Sequence, residues 1–470
     1  MRSPSPNSFF SAIPDFESGR DTSRAFLERC LAAIAESEPD VGAFVHLEIE
    51  NARAAADHST ERWRQGRTLS QIDGMPVGIK DIIETSDMPT QMGSPLYTGW
   101  RSGRDGASVT ALREAGAIVL GKTTTTELAT RHPFHATRNP WDLRRTPGGS
   151  SSGSAAAAAC GMVPAALGTQ GLSSIVRPAS YCGCVGFKPS LGAINRGGSL
   201  DTVDHSVHGA LGASLGDVWI VLREIADRAG GDPGFAGLRG PSRPPPARMP
   251  ARLAVLETEG WRQAAPQAKS AFTRAVEDIG KTGVTILHAA DCGPVAKIES
   301  AIENAMAMVT AINAWDMRWP LNSYRDRDPT KMSAALLTQL AIAEAMTLKD
   351  YRARLAERAQ MRAVYAELTG ECDAVLTLAA TGPAPQGFSS TGNGVFGVPG
   401  SLLGVPAVSL PLLKAEQLPL GLQAIGFADG DASLFATAAW LMEQLGDKRI
   451  GTAQKTLPTS VGQESEKARA

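Results

Sequence analysis

Apolar residues recur at spacings of three and four through Phe26, Leu27, Cys30, Leu31 and Ile34, just after Thr22 and Ser23, either of which can cap a first turn. That spacing predicts an amphipathic helix with one buried face. A second, more polar helix is expected over Glu50 to Arg64, and Met75 to Lys80 reads as a short core strand that ends on a lysine. Ser108 to Ala115 predicts a helix stopped by Gly116, followed by the apolar strand Ala117 to Leu120. Ala155 to Leu167 is continuous and made mostly of small residues, which reads as a buried core helix. Further on, Arg252 to Leu256 predicts a strand, Gln267 to Ile279 a helix and Val284 to Leu287 another strand. Helical patterns dominate Val295 to Leu368. They are followed by a strand over Cys372 to Leu378, a turn-rich stretch GNGVFGVPGSLLGVPAVSLPLL, a strand over Gly421 to Phe427 and a helix near Leu434 to Leu445. Strands alternating with helices predict α/β layering around one sheet.

Composition narrows the class. The 470 residues are 43% hydrophobic with 48 Gly and 30 Pro, the make-up of a globular chain with many turns. Lys+Arg 46 against Asp+Glu 48 leaves a net charge of -2, which gives no basic field to gather nucleic acid or anionic lipid. No stretch reaches the roughly 18 apolar residues of a spanning helix. The N-terminal MRSPSPNSFFSAIPDF lacks a continuous apolar run, so a cytoplasmic protein is expected. Six scattered cysteines suit a reduced compartment, and Cys182-Gly-Cys184 is too tight for the two-residue spacer of zinc and redox pairs. Neither a metal nor a cofactor is expected.

Two motifs match by letter but not by context. Gly116 to Thr123 fits GxxxxGK[ST], yet the four intervening residues are all apolar and want to be a strand themselves, where a phosphate loop must curl its N–H groups round an anion. Gly149-Ser150-Ser151-Ser152-Gly153 fits GxSxG, but Leu143-Arg144-Arg145-Thr146-Pro147 before it is polar and proline-ended, unlike the strand that a nucleophile elbow follows. Nothing around His288 marks it as a triad histidine. The Ser/Gly tract from Pro147 to Ser154 runs straight into segments that want burial, so its small residues serve close backbone approach and its hydroxyls need partners or a function.

NPWDLRRTPGGSSSGSAAAAA from Asn139, RPASYCGCVGFKPS ending at Ser190, GMPVGIKDII around Lys80 and GKTTTTELA at Gly121 together resemble the amidase signature family. The resemblance extends from about Thr22 to Leu445, including Gly421-Leu-Gln. It implies a single large α/β domain, with a central twisted mixed sheet covered by helices on both faces and a variable helical region. On that reading residues 1–70 form an N-terminal helical segment packing on the core, and 71–230 hold the catalytic residues. Residues 231–251 are a Pro/Gly-rich surface linker, 252–446 complete the fold with the helical substrate-pocket region, and 447–470 form a polar tail.

Carried over position by position, the resemblance places the family's lysine at Lys80, its bridging serine at Ser150 after a cis Gly149–Ser150 bond, and its nucleophile at Ser174. The backbone N–H groups of Gly171, Leu172, Ser173 and Ser174 would hold the oxyanion, and Ala129 would line the acyl pocket. A serine needs a base, and a lysine kept neutral by burial among Val77, Ile79, Ile82 and Ile83 can act through a second hydroxyl. The family usually reads GTDTGGSIR at the nucleophile. Here Gln170, Gly171, Leu172 and Ser173 depart from it, and Arg177 sits three places after Ser174, where it either binds a substrate carboxylate or pins the loop. Trp315, Trp319 and Phe396 are expected on the far wall of the pocket. The implied reaction is hydrolysis of a small amide, aryl amide or carbamate, without nucleic-acid or membrane partners and with a homodimer left open. The alternatives are a glutamyl-tRNA amidotransferase A-type subunit working with partner subunits, and a non-catalytic amide binder.

Overall fold

The computed structural model describes residues 4–130 and 137–449. Eleven strands form one sheet: β1 (Phe44–Leu47), β2 (Pro76–Lys80), β3 (Ile118–Thr123), β4 (Ala165–Gln170), β5 (Val185–Lys188), β6 (Val207–Gly212), β7 (Arg252–Val255), β8 (Thr285–Leu287), β9 (Ala374–Leu378), β10 (Ala407–Ala415) and β11 (Leu418–Ile425). Their order is β1-β3-β2-β4-β6-β5-β10-β11-β9-β7-β8. The sheet is mixed, with β2 parallel to both β3 and β4, β7 parallel to β8 and β9, and the other pairs antiparallel. The chain is thus an α/β protein with one large mixed sheet, as the alternating pattern and the resemblance predict.

The first predicted helix is Ser23–Val41, with the Thr22 hydroxyl accepting from the Ala25 N–H, and Phe26, Leu27, Cys30, Leu31 and Ile34 buried as their spacing requires. Phe9, Phe16, Phe26 and Trp63 form an aromatic cluster that seats the N-terminal helices on the core. Residues 231–251 carry no helix or strand, yet Leu238 is buried and the Trp219 indole donates to Pro241 O at 3.0 Å, which fastens this stretch to the core. Residues 450–470 of the expected polar tail lie outside the described residues.

Two expectations are corrected. Ala155 to Leu167 is not one helix: the Ser152–Ala159 helix ends at Cys160, Gly161 turns the chain at φ 70, and after Pro164 the chain enters β4. A run of small apolar residues carries no period of its own, so turn residues decide where helix gives way to strand. The turn-rich stretch before Gly421 contains β10, the longest strand. Its Pro411 sits where the register with β11 shifts between Leu410 and Leu413, a place where a missing N–H breaks no ladder bond.

Candidate active site

Lys80 ends β2, which is flanked by β3 and β4, so its side chain emerges inside the protein with 0% exposure. Its Nζ lies 2.7 Å from Ser150 Oγ and 2.8 Å from Thr169 Oγ1. Loss of water is the main influence on the amine and pulls its pKa from 10.5 down to about 7, against a weaker opposing attraction from the Asp201 carboxylate.

Ser150 is held by the loop in front of the Ser152–Ala159 helix. The Gly149–Ser150 peptide bond is cis. Ser152 Oγ donates to Gly148 O at 2.8 Å, Thr126 N donates to Ser150 O at 3.3 Å, and Arg177 Nη2 donates to Gly149 O at 2.5 Å. Gly148 has φ 83, and a Cβ there would come within 2.9 Å of Pro178 Cα, so the turn requires glycine. All eight residues of the following helix are buried, because its alanines pack directly on β4, β6 and the Val176–Cys182 helix. Ser151, the centre of the GxSxG match, is fully buried and hydrogen-bonded through its hydroxyl to the Thr169 main chain at 3.3 and 3.4 Å.

Ser174 sits in the tight loop between β4 and the Val176–Cys182 helix. Gln170 closes that loop: its Oε1 accepts from Ile175 N at 2.8 Å and Val176 N at 3.1 Å, and its Nε2 donates to Ser401 Oγ at 3.0 Å. The carbonyls of the loop are turned into the protein. Gly171 O faces His205 Nε2 at 2.8 Å, Leu172 O accepts from Ser401 Oγ at 2.8 Å, Ser173 O from Arg177 N at 3.2 Å and Ser174 O from Ser151 N at 3.4 Å. With the carbonyls so held, the N–H groups of Gly171 to Ser174 have no acceptor among the described residues.

Ser150, Thr169 and Ser174 open on one cavity of about 290 Å³. No hydrogen bond among the described residues joins the hydroxyls of Ser150 and Ser174. Ala129, Gly171, Leu172 and Arg177 line the same cavity. Leu128 and Ala129 both take positive φ, 46 and 57, a conformation that non-glycine residues adopt at a cost and that gathers at functional walls. Ser173 contributes main chain only, since its side chain is buried against Gly394 and Gly397. Of the two roles left open for Arg177, the geometry matches loop pinning: its Nη1 and Nη2 donate to Gly392 O, Gly149 O and Thr391 Oγ1.

The expected aromatic wall is corrected. Trp315 stacks on Tyr351 with ring centroids 5.3 Å apart, Trp319 is 69% exposed and Phe396 is buried beside Gly260. The far wall consists instead of Leu200, Val203, Asn313, Met317, Gln339 and Ile342. Helical periodicity ranks faces by hydrophobicity but does not say which face a neighbouring element leaves uncovered. Thr169 and Asp201 were missed as well. The first stands beside Gln170 at the polar end of its strand, and neither that setting nor GGSLDTVD around the second marks a residue that faces the amine.

Lys122, which completes the phosphate-loop match, has a structural role. It is buried in β3 and donates to Thr90 Oγ1 at 2.6 Å and Ile83 O at 2.9 Å, with Asp81 at 3.3 Å. Asp204, His205 and Asp316 bring ligand atoms within 4.8 Å of one another, but Arg358 already holds both Asp204 oxygens at 2.8 and 2.5 Å. Burial pushes the Cys184 thiol up to about 12, far from a reactive thiolate. Among the described residues no helix is long and apolar enough to cross a membrane.

Known proteins resemble this chain along most of its length. The amidase family model matches residues 25–435. The A-type subunit of glutamyl-tRNA(Gln) amidotransferase from Chloroflexus aggregans is 41% identical over 219 residues, which are 44% of this chain and 44% of that protein, so the match spans less than half of either. Its namesake from Anaeromyxobacter sp. (strain K) is 30% identical over 90% of this chain and 93% of its own. A crystal structure described as an amidase superposes with a TM-score of 0.81 at 29% identity, covering 94% of this chain and all of that one. The match of the amidase family model over residues 25–435, on this sheet, shows that the chain belongs to the amidase family.

Proposed function

We propose that the chain hydrolyses a small amide, aryl amide or carbamate through an acyl-enzyme on Ser174. The observation that carries this reading is the fully buried Lys80 amine, held 2.7 Å from Ser150 Oγ and brought by burial to about 7. With the amine neutral, one N–H satisfies Thr169 Oγ1 and the lone pair is left for the Ser150 proton. The Ser174 hydroxyl turns toward Ser150 by side-chain rotation, passes its proton along to Lys80 and attacks the carbonyl carbon. The developing oxyanion meets the N–H groups of the Gly171 to Ser174 loop, each such donor being worth about 100- to 1000-fold in rate. The C–N bond breaks as the proton returns through Ser150 to the leaving nitrogen. Water then enters by the same relay and releases from Ser174 the carboxylic acid, or for a carbamate the carbonic acid half-ester that decays to the alcohol and carbon dioxide. Turnover of a panel of primary amides, aryl amides and carbamates tests this: Ser174→Ala is expected to lower kcat by about 1000-fold or more. Unchanged turnover in that variant refutes the assignment.

A second reading is favoured by the names of the relatives in Chloroflexus and Anaeromyxobacter, both A-type subunits of glutamyl-tRNA(Gln) amidotransferase. On it, the chain would release ammonia from an amide for partner subunits. Glutamine hydrolysis that appears only when such partners are added would support it, and efficient turnover of aryl amides by the isolated chain would favour the hydrolase. The cytoplasmic setting and a homodimer remain part of the proposal.

A further inference from the structure

The walls of the cavity are mostly apolar or carry hydroxyls, and among the described residues two side chains at them are charged. One is Arg177, whose Nη groups are donated to Gly392, Gly149 and Thr391. The other is Asp201. Its carboxylate accepts from Val203 N at 3.4 Å and from the Ser206 hydroxyl, both neutral donors, and it forms no ion pair with any described residue. Neutral donors orient a carboxylate without cancelling its charge. Asn313 lines the same cavity, and its amide oxygen is buried with no hydrogen-bond partner among the described residues. Asp201 has no ion-pair partner among the described residues, and the Lys80 amine that it attracts is neutral when it acts as the base, so the carboxylate and the Asn313 oxygen both lack a charged or donating partner in the working site. Each costs free energy until a donor fills it. A charged –NH3+ group has three donors and no acceptor, which is the chemistry that both groups lack. A neutral alkyl group in the same place leaves both without a donor, and a carboxylate there would face Asp201 as a like charge.

Resting on the hydrolase reading above, we propose that Asp201 and Asn313 form a cation subsite that selects amides carrying a protonated primary amine. The shared chemistry is the ammonium group, located either on the acyl part or on the leaving amine. Because Asp201 also acts through space on the Lys80 amine, recognition is read from binding and not from turnover.

The test is binding to the Ser174→Ala enzyme, where turnover does not intervene. Calorimetric titration compares matched pairs in which –NH3+ replaces –CH3. On the acyl side the pair is β-alanyl anilide against butanoyl anilide, and on the leaving side N-(2-aminoethyl)butanamide against N-propylbutanamide. In at least one arm the ammonium member is expected to bind about 10-fold tighter, the effect of a charge-assisted hydrogen bond. Adding Asp201→Asn should bring the pair to near equality. Adding Asn313→Asp should widen the preference, which keeps the test decisive even if the Asp201 variant folds poorly. Equal binding in both arms, or a preference that survives Asp201→Asn or shrinks in Asn313→Asp, overturns the subsite. Ammonium-selective binding without hydrolysis by the Ser174 enzyme would leave the subsite standing and refute the hydrolase.

Discussion

At the level of single residues, the proposed catalysis turns on one ionisable group. Lys80 must be neutral to accept a proton, and burial lowers its pKa to about 7, so the amine is protonated and inactive below that value. The expected profile of kcat/KM against pH falls about tenfold per unit on the acid side of 7 and is flat above it. Asp201 favours the protonated amine and so raises its pKa. Asp201→Asn should therefore move the acid limb to lower pH, and a limb that stays put or moves up would contradict the assigned coupling. Lys80 and Ser150 were legible because they stand inside long ordered stretches of the family pattern. Thr169, which shares the amine with Ser150, was not, since the pattern records residue types along the chain and not which hydroxyls a buried amine will find across a sheet.

Among the elements, the nucleophile loop is as well built as its departures from the usual pattern allow. Gln170 keeps the acceptor that an acid would supply at that position, holding Ile175 N and Val176 N, and gains a donor to Ser401. Gln170→Ala strands two buried N–H groups at about 1 to 3 kcal/mol each. A lower unfolding midpoint and a fall in kcat larger than any rise in KM are expected, whereas Gln170→Glu, which keeps the acceptor, should lose less of both. Strands with a strong local signature, such as β2 and β3, were legible in the sequence. β5, β6 and β10 were not, because Gly- and Pro-rich segments hide strands that are buried on both faces and show no alternation. The split of Ala155 to Leu167 into helix and strand has the same origin: alanine fits either element, and the packing partners decide.

Across the molecule as a whole, a buried lysine is destabilising unless it is paired or neutral, and three are buried among the described residues. Burial lowers the pKa of Lys80, Lys122 and Lys188 alike. Lys122 offsets its burial by pairing with Asp81, so Lys122→Met should leave that carboxylate uncompensated and destabilise the fold by about 3 to 5 kcal/mol in urea denaturation. A loss of stability within about 0.5 kcal/mol, the range of an ordinary surface substitution, would contradict it. The α/β class and the sheet core were legible from alternation and resemblance. The pocket wall was not, because it is set by how the helices of 305–345 lean over the sheet, a long-range packing outcome with no local code. The relay from Ser174 to Lys80 is tested most sharply by treating the enzyme with a fluorophosphonate and mapping the adduct by peptide mass spectrometry. A single covalent adduct on Ser174 is expected, lost in Ser174→Ala and slowed by Lys80→Met. An adduct on Ser150 or Ser151, or full activity after stoichiometric labelling elsewhere, would contradict it.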